Sequence, residues 1–359
     1  EAAVARAERA AQNAAAANDD SSFPILRIDI ELVNKSIVFN PPLRAAGLDN
    51  TDPEAMTAQK AIGEFGFVGI KMYPLLGFRP IGNKELPDEY WREWQSTLEI
   101  RRYRRQLIDD ATWEQMSSDK EARRRMLRVR FGRALDERLE AFYAWAQKEQ
   151  VPIMVHGSHS NFVDSDAAKD ITNPEHWEKV LSTFPELRVN VGHFGGYGPI
   201  ANAQEPRVAG GTSSLFEKGM VFADLSHYPV AKLSGATGKR KWKQKGDDVL
   251  CGLRFLAAKA PLLPRRLMYG SDWFMPRATA KRNSNYPVAF DAWLRRMWNS
   301  PDEDSRAFMG ENAARFLGLE KGKPTRCRLE RFYDRVGIHP SWPAKIDKSL
   351  GGDDSSCGD

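Results

Sequence analysis

Short apolar runs alternate along this chain with longer segments whose apolar residues recur every three or four positions. The runs occupy residues 36–40, 67–73, 151–156, 188–193, 221–225 and 267–270, and their Val, Ile and Met content predicts strands buried on both faces. Helical stripes separate them. Leu135, Leu139, Phe142 and Tyr143 form one, Trp177, Val180, Leu181 and Phe184 another, and Phe290, Trp293, Leu294 and Met297 a third. Asp52-Pro53 and Asn173-Pro174 each place a capping side chain before a first-turn proline. Strands alternating with helices predict parallel strands joined by crossovers. An open doubly wound sheet and a (β/α)8 TIM barrel both satisfy this. The open sheet calls for a Gly-rich phosphate turn after its first strand, and no such turn is present in the sequence.

Two segments interrupt the rhythm. A βα loop usually takes about 2–6 residues, and the stretch from Pro74 to Arg133 is far longer. It predicts a helical insertion over about 80–133, with Tyr90, Trp91, Trp94, Leu98, Leu107 and Ile108 giving it a face to bury over the barrel. Its arginine runs, 101–105 and 123–125, are interleaved with Asp109, Asp110, Glu114, Asp119 and Glu121, the pattern of a solvated helix face and not of a nucleic-acid site. The basic run 239–245 predicts an exposed loop. Residues 1–22 are Ala-rich and predict a helix, 23–320 the barrel domain, and 321–359 a partly disordered tail.

Composition narrows the classes. With 42% hydrophobic and 10% aromatic residues in 359, the chain is not mainly disordered. It has no apolar run long enough for a membrane-spanning helix. The net charge of +5 is too mild to imply nucleic acid. Cys251, Cys327 and Cys357 are scattered, without metal-ligand spacing, which argues against a disulfide scaffold and places the chain in a reducing compartment, the cytoplasm. A homo-oligomer is compatible with all of this.

Polar residues fall where strands end. His156 closes 151–155, His193 closes 188–192, Asp272 follows 267–271, and Lys71 closes 66–70. In a parallel barrel these C-terminal ends meet at one mouth, where such folds hold their active sites. Two imidazoles and a carboxylate are a ligand set for a divalent metal, zinc foremost. A further coordination position would hold a water acidified by the ion. A lone His after an apolar strand is more often a hydrogen-bonded rim residue, and a lone Asp more often a helix cap. The joint placement at successive strand ends is what favours function.

These motifs resemble the amidohydrolase-related family, metal-dependent TIM-barrel hydrolases that include acid decarboxylases. The resemblance runs over about 36–319. It rests on Gly66-Phe67-Val68-Gly69-Ile70-Lys71, Val155-His156-Gly157, Gly192-His193-Phe194-Gly195-Gly196, Gly270-Ser271-Asp272-Trp273 and the closing Asn312-Ala313-Ala314-Arg315-Phe316-Leu317-Gly318-Leu319. It implies metal ligation by His156 and Asp272. It implies for His193 either metal ligation or acid–base contact with the metal water. The family also carries His-x-His on its first strand, and none of the six histidines here has that spacing. Counting back from Asp272 on the eighth strand makes 36–40 the third. The expectation is therefore a barrel lacking its first one or two strands within residues 1–359, with 25–32, where Leu26, Ile28 and Ile30 alternate, as a further strand candidate.

The function so implied is a metal-dependent hydrolase. Metal-activated water attacks a small carbonyl substrate, Asp272 accepts the water proton, and His193 stabilises or shuttles charge. Lys71, Tyr73, Arg79, His159 and Tyr197 are the substrate-binding candidates. Lys71 has three readings: a carboxylated metal bridge, a partner for a substrate carboxylate, or a structural ion pair. Decarboxylation of a small carboxylic acid is the alternative reaction, with Lys71 and Arg79 holding the carboxylate. A barrel that has lost its metal and serves as a binding module is the alternative from another class.

Overall fold

Among the described residues, two strands near the start of the chain pair only with each other. β1 (Asp29–Val33) and β2 (Ser36–Asn40) are antiparallel, with Asp29 opposite Asn40 and Val33 opposite Ser36. This corrects the expectation that 36–40 is a parallel barrel strand. Only two residues separate β1 from β2, enough for a hairpin reversal, whereas a parallel crossover needs a dozen or more. In the computed structural model the described residues are 29–33, 36–40, 58–74, 78–87, 111, 114, 120–157, 170–195, 215–217, 219–226, 239–272, 286–298, 300–351 and 357. The Ala-rich segment 1–22 and the apolar residues predicted to bury the insertion lie outside them.

The other five runs form one parallel sheet. After helix α1 (Ala58–Glu64) come β3 (Ile70–Met72), α2 (Lys120–Lys148), β4 (Ile153–His156), α3 (His176–Thr183), β5 (Arg188–Gly192), β6 (Met220–Asp224), α4 (Lys239–Lys259) and β7 (Leu267–Met268). The strands lie side by side in chain order. A doubly wound sheet reverses its order at a switch point. A sheet that advances one neighbour at a time, with a helical crossover between strands, has the winding of a TIM barrel.

Side chains alternate across the sheet. Ile70, Met72, Ile153, Val155, Val189, Val191, Val221 and Ala223 join the main core, packed with Phe142, Tyr143, Trp177, Val180, Leu253 and Phe290 from the helices. Phe222 and Met268 occupy the intervening positions and form a separate cluster with Phe316. Both faces are thus covered, as parallel sheets require, and the second face carries the polar residues described below.

Helix α2 runs unbroken through the predicted insertion boundary, so the arginine run 123–125 and the core stripe belong to one helix. The loop before it is clamped down by Asp136. That carboxylate accepts hydrogen bonds from the Asn83 backbone (2.9 Å), the Asn83 side chain (2.8 Å) and the Lys84 backbone (3.2 Å). Gly132 permits this contact: a Cβ there would lie 2.6 Å from the Asn83 carbonyl oxygen. The basic run 239–245, expected as a loop, opens α4. Lys, Arg and Gln are good helix formers, and propensity prevails there.

After β7 come α5 (Tyr286–Leu294), α6 (Pro301–Arg306), α7 (Asn312–Leu317), α8 (Pro324–Val336) and α9 (Trp342–Leu350). Asn312, fully buried, donates to the carbonyls of Pro264 (2.9 Å) and Leu267 (2.7 Å), tying the closing helix to β7. The tail expected to be partly disordered instead holds α8 and α9. Arg326 fastens them, its side chain 3% exposed, by bonds to Asp347 (3.1 Å to each oxygen), Glu330 (2.5 Å) and the Leu319 carbonyl (3.0 Å). Cys327 and Cys357 form a disulfide across the same module, which their spacing alone did not predict. Among the described residues no helix is long and apolar enough to cross a membrane.

Candidate active site

The C-terminal ends of β3 to β7 bring polar side chains to one edge of the sheet. His156 ends β4 and His193 follows β5, with ring centroids 4.9 Å apart at 76°. Tyr73, just past β3, lies 4.5 Å from the His156 ring. The close approach depends on Gly192. A Cβ at that position would sit 2.7 Å from the Val155 carbonyl oxygen and 3.5 Å from the Lys71 amine.

Three non-glycine residues of this edge have left-handed backbone: His193 (φ 56°), Phe194 (φ 47°) and Asp272 (φ 55°). Such a conformation costs about 1–3 kcal/mol per residue and persists where the surroundings impose it. At His193 the surroundings are visible. Its backbone N–H donates to Asp224 Oδ1 at 3.2 Å.

Asp224, at the end of β6, is the hub. It is 3% exposed and accepts from Asn190 Nδ2 (2.8 Å), from the backbone N–H groups of His193 and Ser226 (3.1 Å for the latter), and from the Ser226 hydroxyl. Burial alone would raise its pKa. The charge of His193, the bonds from Ser226 and Asn190 and the charge of Lys71 outweigh that and hold it below the ordinary carboxylate value.

The same bonds assign the His193 tautomer. His193 Nδ1 lies 3.2 Å from the Ser226 backbone carbonyl oxygen and 2.9 Å from the Ser226 hydroxyl oxygen. A carbonyl only accepts, so Nδ1 carries the proton. The hydroxyl then accepts from Nδ1 and gives its own hydrogen to Asp224. In neutral His193 the lone pair is therefore on Nε2.

Lys71 occupies the middle of β3, paired with Met154 of β4. Burial lowers its pKa, and the charges of Asp224 and Asp272 restore only part of the loss. It makes no hydrogen bond and no close ion pair among the described residues. Asp272 lies beyond β7, within electrostatic reach of Lys71 and Tyr286. Arg79 is paired with Asp170. Its Nε donates to Asp170 at 2.8 Å, and His176 Nε2 meets the Asp170 carbonyl oxygen at 2.8 Å. His159 and Tyr197 lie outside the described residues.

The structure thus gathers His156, His193, Tyr73 and Lys71, with Asp272 nearby. It adds three residues that sequence reasoning missed: Asn190, Asp224 and Ser226. The available signal was Asp224-Leu225-Ser226, a polar pair at the end of an apolar run, in the same position as the histidines. Two adjacent imidazoles and a carboxylate suit a divalent ion in donor type. Among the described residues, however, no group of three His, Cys, Asp or Glu side chains is placed to hold one. The donors match a metal in kind and fall short in number.

Comparison with known proteins adds the following. No curated protein matches the chain. Solved structures that align with it include an amidohydrolase from Burkholderia multivorans with bound zinc (17% identity, TM-score 0.34, covering 51% of this chain and 57% of that one), an uncharacterized TIM-barrel protein from Bordetella bronchiseptica (19%, 0.31, 51% and 50%) and 5-carboxyvanillate decarboxylase from Sphingomonas paucimobilis (15%, 0.29, 52% and 53%). The chain spans about half the length of these structures. The amidohydrolase family profile matches residues 121–319, from helix α2 to the end of the closing helix. That match covers more than half of the sequence and takes in His156, His193, Asp224 and Asp272, and the chain belongs to the amidohydrolase family.

Proposed function

We propose that this chain is a metal-dependent hydrolase that adds water to the carbonyl group of a small substrate. The observation that carries the proposal is the fixed tautomer of His193. With Nδ1–H held by Ser226, Nε2 is the atom that can take a proton from an attacking water. The imidazolium so formed is stabilised through the Ser226 hydroxyl by Asp224, whose depressed pKa keeps it charged. His193 then returns the proton to the leaving group. Lys71 donates to the substrate oxygen on which charge develops. His156 and Asp272 would hold the divalent ion, zinc foremost, which when bound polarises the carbonyl and acidifies water.

The test uses the full chain stripped with chelator, then assayed with and without zinc or manganese against 4-nitrophenyl acetate and simple lactones. Metal-restored turnover that falls in the His193→Asn variant supports the proposal. Turnover unaffected by that substitution refutes it. Decarboxylation is the second reading, favoured by Lys71, a half-buried cation at the same edge that could hold a substrate carboxylate. Carbon dioxide release from small aromatic acids in the same preparations separates the two.

A further inference from the structure

We propose that a second site, at the opposite end of β5 from His193, binds a small oxoanion that still carries a proton, of the hydrogen phosphate class. Arg188, Arg328 and Glu320 form it, beside the first turn of α8. The inference stands on placement and does not need the hydrolytic reading.

Arg188 opens β5 and is 5% exposed. Its Nη1 takes the place that a Cβ of Gly318 would occupy, and the Thr325 hydroxyl lies 3.4 Å from the same point. Arg328 donates from Nη2 to that hydroxyl at 3.1 Å and from Nη1 to the Glu149 carbonyl at 2.9 Å. Two guanidiniums thus meet at Thr325, in the first turn of a 13-residue helix whose N-terminus carries the positive end of its dipole. Glu320, two residues past Gly318, is the carboxylate whose charge acts on Arg188. Yet no hydrogen bond or ion pair joins the two among the described residues. Arg188 Nε and Nη1, Arg328 Nε and Glu320 Oε2 are all buried with no hydrogen-bond partner. Arg326, on the same helix, shows that packing here can satisfy an arginine: its Nε, Nη1 and Nη2 all find acceptors.

The unpaired atoms specify the ligand. A guanidinium only donates, and it stays charged even when buried, while a carboxylate only accepts. Two cations and a helix N-terminus call for negative charge. Glu320 Oε2 calls for a hydrogen. Sulfate would satisfy the arginines but would meet Glu320 with a second negative charge and no proton. In hydrogen phosphate, unprotonated oxygens accept from the arginines and the P–O–H group donates to Glu320 Oε2. Water would serve Glu320 and leave the two cations without a counter-charge beyond that one carboxylate. Because the four atoms are buried, the site suits a free ion and not the phosphate end of a larger molecule. No bond is made or broken.

The experiment is isothermal titration calorimetry on the full chain, treated with chelator and dialysed free of phosphate, at neutral pH and fixed ionic strength. Inorganic phosphate, sulfate and phenyl phosphate are the titrants, so hydrolysis does not enter the result. The expected result is one phosphate bound per chain, with sulfate at least about 10-fold weaker, the equivalent of one hydrogen bond to a charged group. Phenyl phosphate should not bind. Arg188→Lys should weaken phosphate binding by about 10-fold or more, which separates this site from the histidines. Glu320→Gln should erase or reverse the preference for phosphate over sulfate, because the amide donates where the carboxylate accepts. Circular dichroism checks that the variants fold, and the wild-type ratio of the two anions stands even if they do not. Absence of phosphate binding at millimolar concentration, equal binding of phosphate and sulfate, or phenyl phosphate binding as tightly as phosphate would each overturn the proposal. So would phosphate affinity unchanged in a folded Arg188→Lys variant, or a phosphate preference unchanged in a folded Glu320→Gln variant.

Discussion

Two buried charges, Asp224 and Arg326, show how differently this molecule treats the same problem. Arg326, in the α8–α9 module, meets two carboxylates, a backbone carbonyl and, 5.1 Å away, the face of Trp342. Its donors are matched by acceptors, and the surrounding backbone is ordinary helix. Asp224, at the edge of the sheet, is equally well supplied with donors, but those donors belong to His193, Ser226 and Asn190, and they fix one reactive ring in a left-handed backbone. Beside it Lys71 is left short of a partner. A charge fully satisfied within its own module is an anchor. A charge whose bonds orient other reactive groups, next to one left wanting, marks chemistry.

This contrast is open to attack from both sides. Replacing Asp224 with Ala should have the largest effect. It strands the Asn190, His193 and Ser226 donors. It should lower hydrolytic turnover by about 100-fold or more, the lower range of what a positioned acid–base group contributes. Activity retained in a folded Asp224→Ala variant would break the comparison at the site. Arg326→Ala should instead cost about 1.5–3 kcal/mol of stability, the range for losing hydrogen bonds to charged groups, because Asp347 and Glu330 are partly solvated and are not stranded as buried charges. Urea unfolding measures this. Reduction of the Cys327–Cys357 bond should cost about 2–4 kcal/mol at most, with the shortfall largest if only the tail loosens. Thermal melts with and without dithiothreitol report it, and an unchanged melt would show that the bond contributes nothing to the module.

Acid should sharpen the difference further. Asp224 has a folded pKa below its unfolded value, so its contribution is complete above the unfolded carboxylate range near pH 4. It is lost as pH falls through the lower folded value. The stability gap between wild type and Asp224→Asn should therefore be constant at neutral pH and close in strong acid. A gap that widened on acidification would contradict the assigned direction. Ser226→Ala should have the smallest effect, a loss of about tenfold in turnover, equivalent to one hydrogen bond of about 1.4 kcal/mol, since the Ser226 backbone carbonyl still holds Nδ1.

Much of this architecture was legible in the sequence, for identifiable reasons. The parallel strands are continuous apolar runs, and His156, His193 and Asp272 stand out because polar residues end such runs. The closing helix was readable from its likeness to the family's motif, and its buried Asn312 donates to the carbonyls of Pro264 and Leu267. What was not legible depends on contacts distant in sequence. Residues 36–40 read as a barrel strand, and only the pairing with 29–33 makes them a hairpin arm. The tail read as partly disordered, yet Arg326 meets Glu330 and Asp347 once α8 and α9 pack. Arg79, a substrate-binding candidate on sequence, is brought to Asp170 by a partner 91 residues away. Asp224 escaped notice because a carboxylate at a strand end looks like a helix cap until its hydrogen bonds are known.

The most direct test of the account is the rate of metal-restored hydrolysis of 4-nitrophenyl acetate and simple lactones by wild type and by His193→Asn, with circular dichroism confirming that both are folded. The account predicts a fall of about 100-fold or more in the variant. Equal rates in the two proteins would contradict the claim that His193, set by Ser226 and Asp224, moves the proton.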